Sequence, residues 1–197
     1  MNLKMVKRGK MKLKKFNAIL AVLSAVALVV HMGYTSYAFL AMYYNPTLKG
    51  ITCGPFIICT CLHGILGMCS VFLLGDGTRL DIYKKQNRRT IIQRVSSTLI
   101  FPLLIIHLKS FELLKQTSSE GKWALFILCI LIQICFFTVV VIHTMVSVSK
   151  AFITLGILQD REKQKKIDKI IFAFFAAILL FAGVVIVRGE LQMFLPR

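Results

Sequence analysis

Five long apolar runs, separated by short polar segments, dominate the chain. They span Phe16–Tyr44, Cys53–Leu74, Val95–Leu114, Trp123–Val148 and Ile170–Val187. Crossing the hydrocarbon core of a bilayer takes about 20 residues of α-helix, because about 30 Å must be covered at about 1.5 Å per residue. A helix also satisfies its own backbone hydrogen bonds in lipid. The pattern therefore predicts an all-α integral membrane bundle of five transmembrane helices.

The third run is the most polar of the five. Ser96, Ser97 and Thr98 open it, and Lys109 and Glu112 interrupt its far end. It also contains a proline, which a membrane helix tolerates when neighbouring helices cover the freed backbone groups. A helix is still the better prediction here, because lipid offers no partner to an open backbone.

Composition supports a membrane protein and excludes several other classes. Of 197 residues 57% are hydrophobic and 17% charged, and the formal net charge is +17. Most soluble enzymes and disordered tails are less apolar, and the basic residues lie between apolar runs rather than on a nucleic-acid-binding face. The eight acidic residues all fall at or beyond the predicted helix ends, Glu190 beyond the fifth. We expect one transmembrane domain over residues 1–197, without nucleic acid as a partner.

The basic residues are distributed unevenly between the two sides of the predicted bundle. Nineteen of the 25 Lys and Arg residues fall in the N-terminal tail 1–15, in the second loop with the start of the third helix, and in the fourth loop. Cytoplasmic loops of membrane proteins carry such an excess. We therefore expect the N-terminus in the cytoplasm and the C-terminus outside. The basic face could also dock an acidic protein or anionic membrane lipid.

All four histidines lie inside apolar runs, one in each of the first four. Ionisable side chains within a membrane are costly and tend to have a partner or a function. Counted at about 1.5 Å per residue from the predicted cytoplasmic helix ends, His31 and His107 lie about 22 and 20 Å deep and His143 about 10 Å deep. His63 is intermediate, at about 18 Å, and pairs with His143 only by elimination.

Two levels with two imidazoles each suit two b haems with histidine axial ligands in a bundle core. Gly67, one turn after His63, leaves room on the same helix face for a macrocycle. The six cysteines lie in or at the edge of apolar runs and lack zinc-site spacing, so we expect them to act as small hydrophobes. Histidines that only pack within the bundle are the alternative.

Short motifs accompany each of the four histidines. They are Lys14-Lys15-Phe16-Asn17 before His31, His63 with Gly64 and Gly67, Gln93-Arg94-Val95 before His107, and His143 with Gly156. In this order and spacing, over roughly residues 14–187, they resemble the cytochrome b membrane anchor of succinate dehydrogenase and fumarate reductase. More specifically, they resemble its single-chain, five-helix, two-haem type.

The resemblance implies an anchor in the bacterial cytoplasmic (inner) membrane that transfers electrons between the quinone pool, most often menaquinone, and a cytoplasmic iron–sulfur subunit and flavoprotein. Asn17 and Arg94 then belong to the haem surroundings. Arg94 suits this role because a guanidinium can form two parallel hydrogen bonds to a propionate carboxylate. The chain has no flavin or iron–sulfur motif of its own, so it would be a subunit without a soluble catalytic domain. The implied axial ligands are His31 with His107 for the distal haem and His63 with His143 for the proximal haem.

The chain departs from the family pattern at three places. Val139–Ile142 stand where some relatives carry a glutamate that helps to move protons, and Ser97 stands where relatives tend to have glycine. The first outer loop, Asn45–Gly50, has no acid to accept a quinol proton. No quinone-site residue is therefore assigned from the sequence.

Two other functions compete with this interpretation. One is a dihaem cytochrome b anchor of another respiratory enzyme, such as a formate dehydrogenase or a hydrogenase, with the same chemistry and a different partner. The other is a haem-free membrane scaffold or small transporter whose histidines only pack. A spectrum of the reduced protein separates the second from the first.

Overall fold

The computed structural model describes residues 3–72 and 84–194, with side chains for residues 11–71 and 88–194. All regular secondary structure in these ranges is helical, which confirms the predicted fold class. The five helices are α1 (Leu3–Ala41), α2 (Pro46–Phe72), α3 (Lys84–Ser119), α4 (Trp123–Thr154) and α5 (Arg161–Phe194).

Most helices extend beyond the apolar runs that predicted them. α1 begins at Leu3, inside the predicted tail, and α5 continues to Phe194 rather than ending at Val187. Hydropathy marks only the part of a helix suited to hydrocarbon, whereas the helix itself continues into more polar surroundings. The first run was predicted too long, because Tyr44 lies beyond the end of α1. The predicted end of the second helix at Leu74 and the turn after it lie outside the described residues.

The boundary between α1 and α2 has a local chemical cause. The side-chain oxygen of Asn45 accepts hydrogen bonds from the backbone N–H groups of Thr47 and Leu48, at 3.0 and 3.1 Å. Asn is a preferred N-cap, and Pro46 follows at the first helical position, where its missing N–H costs nothing. The hydroxyl of Tyr34 donates to the Asn45 carbonyl at 2.8 Å and fixes the loop on α1. These contacts begin α2 well before Cys53.

The helices form two close pairs, α1 with α2 and α3 with α4, which are joined through contact between α1 and α4. α5 packs against α4 and α1. α3 remains one helix through Pro102 and through the polar residues at both of its ends, as predicted. The main core is formed by side chains of α1, α3, α4 and α5, among them Leu28, Ile100, Val141, Phe175 and Ile186.

Large apolar side chains lie on the surface of the bundle, while some polar side chains lie inside it. Ile105, Leu180 and Val184 are 67, 70 and 68% exposed, while Gln133 and Glu190 are buried. Each of the five helices contains a segment long and apolar enough to cross a membrane. An apolar exterior of this extent suits contact with lipid rather than water. The chain is a multi-pass membrane protein.

Polar contacts fasten α5 at both of its ends. At its start, Arg89 on α3 donates to the carboxylate of Asp168 at 2.6 Å, and the hydroxyl of Ser149 on α4 donates to the other oxygen of that carboxylate. At its far end, the hydroxyl of Ser118 on α3 donates to the carbonyl of Phe194. α5 is therefore held in register against the α3/α4 pair.

Gly189 on α5 lies directly against the side chain of Phe39 on α1. A β-carbon at this position would overlap the ring of Phe39 near its attachment point, whereas one at Gly183 would meet nothing within 4 Å. We expect Gly189→Ala to lower the free energy of unfolding by about 1–3 kcal/mol through overpacking.

Gly183→Ala is the matched control on the same helix. It should raise the free energy of unfolding by about 0.5–1 kcal/mol, because alanine loses less backbone entropy on forming a helix. Unfolding of the detergent-solubilised chain, followed by circular dichroism, measures both variants. Equal effects of the two substitutions would show that Phe39 moves aside freely.

Candidate functional site

A cavity of about 630 Å³ lies between α1, α2, α3 and α4. It exists because α2 packs along α1, and α3 along α4, while α2 makes no extended backbone contact with α3 or α4 over the described residues. Volumes of about 300–1,000 Å³ are typical of sites for small molecules and cofactors. No described residue of α5 lines the cavity.

The imidazoles of His63 on α2 and His143 on α4 lie opposite each other in this cavity. Their ring centroids are 6.2 Å apart and their planes are inclined at 61°. A bond from an imidazole nitrogen to a metal is about 2.0–2.1 Å long, so two imidazoles on opposite sides of one ion have ring centres about 6 Å apart. The distance between the two rings would therefore allow both histidines to hold one iron ion.

Asn17 on α1 fixes the protonation pattern of His63. The Nδ1 atom of His63 lies 2.8 Å from the side-chain oxygen of Asn17 and 3.3 Å from its carbonyl oxygen. A carbonyl oxygen only accepts, so Nδ1 carries the proton and donates it. The Nε2 atom is then the one with a free lone pair. Metal-binding histidines characteristically hold their second nitrogen in this way.

His143 is held in the same tautomer by α3. Its Nδ1 atom lies 3.1 Å from the carbonyl oxygen of Gln93 and 3.0 Å from the hydroxyl oxygen of Ser96. Because the carbonyl only accepts, Nδ1 is again the donor and Nε2 again carries the lone pair. Nε2 lies 3.2 Å from the hydroxyl of Ser147, one turn further along α4.

A chain of hydrogen bonds reaches the same conclusion about His143 from the opposite side. Lys150 donates to the side-chain oxygen of Gln93 at 3.0 Å, and the amide nitrogen of Gln93 donates to the hydroxyl of Ser147 at 3.1 Å. An ammonium can only donate, so it fixes the orientation of the amide. The hydrogen of Ser147 is left to point at Nε2 of His143. Both ends of the network therefore make Nε2 an acceptor.

The cavity is amphipathic. Lys14, Arg94 and Lys150 line it from three different helices, and aromatic and aliphatic side chains line much of the remainder. Gly67 also lines it, and a β-carbon there would come no closer than 4.0 Å to the amide nitrogen of Asn17. Such a site suits a flat apolar molecule with anionic groups at one edge, because the cations oppose the anionic edge.

The second histidine pair, His31 on α1 and His107 on α3, does not line the cavity. The ring of His31 stacks on Phe56 with centroids 5.9 Å apart, and that of His107 on Phe136 at 4.7 Å. The Nδ1 atoms of both histidines are buried without a hydrogen-bond partner among the described residues. Buried polar atoms of this kind call for a ligand or another function.

The candidate ligands that the cavity offers are the two imidazoles of His63 and His143. Over the described residues no group of three or more His, Cys, Asp or Glu side chains could hold a metal ion. Paired imidazoles supply two ligands, and a porphyrin supplies the remaining four itself. His63 and His143 have the spacing and tautomers that such a pair needs. His31 and His107 have unsatisfied nitrogens but aromatic rings against their faces.

No protein family, curated protein or solved structure matches this chain. The resemblance to the dihaem anchors therefore remains a prediction that is based on the four histidines, their spacing and their flanking motifs.

A second buried polar site lies between α4 and α5. The side-chain amide of Gln133 donates to one carboxyl oxygen of Glu190 at 2.9 Å, and the other oxygen is buried with no hydrogen-bond partner in the described part of the chain. Near this pair, Leu114, Phe126 and Ile130 form an apolar cluster that contacts residues 187 and 191 of α5. The prediction that Glu190 lies beyond the fifth helix is wrong, since α5 includes it and its side chain is 3% exposed.

The structure brings most of the predicted site residues to one place. The cavity is lined by Asn17, His63, Gly67, Arg94 and His143. The sequence-based interpretation missed the hydrogen-bonding roles of Ser96 and Ser147, and noted Gln93 only as part of a motif. Their spacing of one helical turn, four residues from Ser147 back to His143 and three from Ser96 back to Gln93, is the signal that could have pointed to them.

Proposed function

We propose that the chain is a dihaem cytochrome b membrane anchor of a succinate:quinone oxidoreductase. In this role it passes electrons between the quinone pool, with menaquinone as the expected quinone, and an iron–sulfur subunit and flavoprotein docked on its basic cytoplasmic face. A bacterial cytoplasmic membrane is the expected location. The support is the contact between His63 and His143 inside a five-helix membrane bundle, together with two further histidines, His31 and His107, on α1 and α3.

The observation that carries the proposal is the His63–His143 pair. Each ring has its Nδ1 proton committed to an acceptor on a neighbouring helix, so Nε2 is the nitrogen that carries the lone pair in both rings. At His143 that lone pair accepts a hydrogen bond from Ser147. Haem b bound between two imidazoles supplies reversible one-electron chemistry. The protein's own contribution is to hold the ligand tautomers, exclude water with apolar walls and place cations near one edge.

The basic residues of the cavity support the same class of ligand. Lys14, Arg94 and Lys150 line the cavity, and a lysine or arginine side chain can pair with a carboxylate such as a haem propionate. Asn17 stabilises His63 rather than being reserved for an anion, because its side-chain oxygen is the acceptor for Nδ1.

The test is the visible spectrum and haem content of the full chain purified from cells with an adequate haem supply. We expect b-type absorption bands on reduction with dithionite and two haems per polypeptide. A chain without b-type bands would end the proposal and favour the haem-free scaffold.

Purification under mild conditions separates the two respiratory alternatives. Copurification of a flavoprotein that oxidises succinate or reduces fumarate supports the proposed complex. Copurification of a molybdenum or nickel enzyme would assign the chain to a different respiratory complex. Association through the basic face should weaken as ionic strength rises, because salt screens exposed charges.

A further inference from the structure

The two histidine pairs differ in how ready they are to bind a ligand. We define the inner pair as His63 with His143 and the outer pair as His31 with His107. The inner pair lines a cavity, and neighbouring side chains and carbonyls fix both of its tautomers. The outer pair does not line that cavity, and its Nδ1 atoms have no hydrogen-bond partner among the described residues. Preorganised ligands bind with less reorganisation, so the inner pair has the advantage.

Two phenylalanines separate the outer pair from the cavity. Phe56 and Phe136 both line the cavity, and each also stacks against one ring of the outer pair. The stack of His31 on Phe56 is nearly parallel, with planes inclined at 7°, and that of His107 on Phe136 is inclined at 22°. The same two rings therefore form a wall of the cavity and a cover for the outer imidazoles.

We propose that the chain takes up its two haems in a fixed order, the inner pair binding first, with Phe56 and Phe136 as a partition that must turn aside before the outer pair can bind. This inference rests on the proposed function. It adds an assignment of unequal affinities to the two sites and a role for two aromatic residues that are not ligands.

The energetic reason lies in what each pair must give up. Binding at the inner pair breaks one neutral hydrogen bond, the 3.2 Å contact between Ser147 and Nε2 of His143. His31 and His107 do not line the cavity, so a macrocycle at the outer pair needs space that Phe56 and Phe136 now fill in part. Moving these rings costs aromatic contacts, which contribute beyond the area they bury. The outer site therefore binds more weakly even though its unsatisfied nitrogens favour a ligand.

The experiment is a titration of the haem-free full chain in lipid nanodiscs with haemin, followed by absorbance. We expect the first equivalent to bind at least about ten-fold more tightly than the second, a difference of about 1.4 kcal/mol. His143→Ala and His63→Ala should each remove the tight step and leave the weak one. His31→Ala should remove the weak step and leave the tight one.

The partition itself is tested with a matched pair of aromatic substitutions. Phe136→Ala should strengthen the weak step and narrow the difference between the two affinities. Phe137→Ala is the control, because Phe137 contacts His107 edge-on, with ring centroids 5.5 Å apart, but does not line the cavity. It should leave the tight step unchanged and not strengthen the weak one. Circular dichroism checks that each variant is folded.

The outcomes separate this inference from the function beneath it. Two steps of equal affinity, a tight step that depends on His31, or a single equivalent at saturating haemin would each overturn the order while leaving haem binding in place. An equal gain from Phe136→Ala and Phe137→Ala would overturn the partition. A wild-type chain that shows no spectrum of haem with two imidazole ligands would overturn both the order and the proposed function.

Discussion

Replacing His143 with alanine is expected to reduce the haem content of the purified chain from about two haems per polypeptide to about one. The substitution removes one imidazole of the inner pair, whose rings lie 6.2 Å apart. The methyl group cannot ligate iron, so His63 would be left as the one imidazole of the inner pair. With one protein ligand in place of two, the inner site binds haem more weakly, and we expect that haem to be lost during purification. His31 and His107 do not line the cavity that holds His143, so the substitution leaves both histidines of the outer pair in place. Haem assay against protein concentration measures the loss.

Two further variants make this prediction specific. His31→Ala should also leave one haem per chain, with a reduced spectrum different from that of His143→Ala, because a different site remains. Ser147→Ala is the matched control one turn from His143, since it removes only a hydroxyl group that contacts Nε2. It should keep both haems. Retention of two haems by the folded His143→Ala chain would show that the ligand assignment is wrong.

Replacing Gln133 with leucine is expected to lower the free energy of unfolding by about 1–3 kcal/mol. The amide of Gln133 is the hydrogen-bond donor to Glu190, whose second carboxyl oxygen already has no partner among the described residues. Without Gln133 the whole carboxyl group is buried unsatisfied, which costs its desolvation energy. Unfolding of the detergent-solubilised chain measures the change.

The double variant Gln133→Leu/Glu190→Leu is the control that isolates the pair. With both polar groups removed, nothing is left unsatisfied, so stability should return close to that of the natural chain. Glu190→Leu by itself should also destabilise, since it leaves the amide of Gln133 buried without its acceptor. If the double variant were as unstable as the sum of the single ones, the two side chains would act independently rather than as a pair.

The number and type of the helices could be predicted because lipid restricts the backbone so strongly. Even the third run, interrupted by Lys109 and Glu112, forms a continuous helix, since open backbone groups have no partner in hydrocarbon. The helix ends could not be predicted equally well. Turns that carry Arg161 or Glu190 look like loop residues in a hydropathy profile, yet both lie in α5.

The depths counted along the helices for His63 and His143 disagree with the short distance between their rings. Depths of about 18 Å for His63 and about 10 Å for His143 would separate the two by more than a helical turn. Their ring centroids are nevertheless only 6.2 Å apart. Depth along a helix equals depth in the bilayer only for an upright helix whose end is known, and membrane helices tilt by about 20° on average.

The hydrogen-bond network around His143 depends on contacts that no local pattern reveals. Gln93 and Ser147 are far apart in the chain, and only the packing of α3 along α4 brings them together. The same holds for Gln133 and Glu190, which are joined by the packing of α4 and α5. Sequence patterns place side chains on elements, whereas these pairs are specified by the relative position of two elements.

α5 is fastened to its neighbours by polar contacts at both ends, and none of its described residues lines the cavity. This arrangement determines which property of the protein a substitution on α5 affects. Asp168 forms an ion pair with Arg89 on α3, and Gly189 packs against Phe39 on α1, so both residues contact neighbouring helices. α5 therefore stabilises the bundle, and the other four helices form the cavity. Substitutions at Asp168 or Gly189 are therefore expected to change the stability of the bundle before they change the cavity.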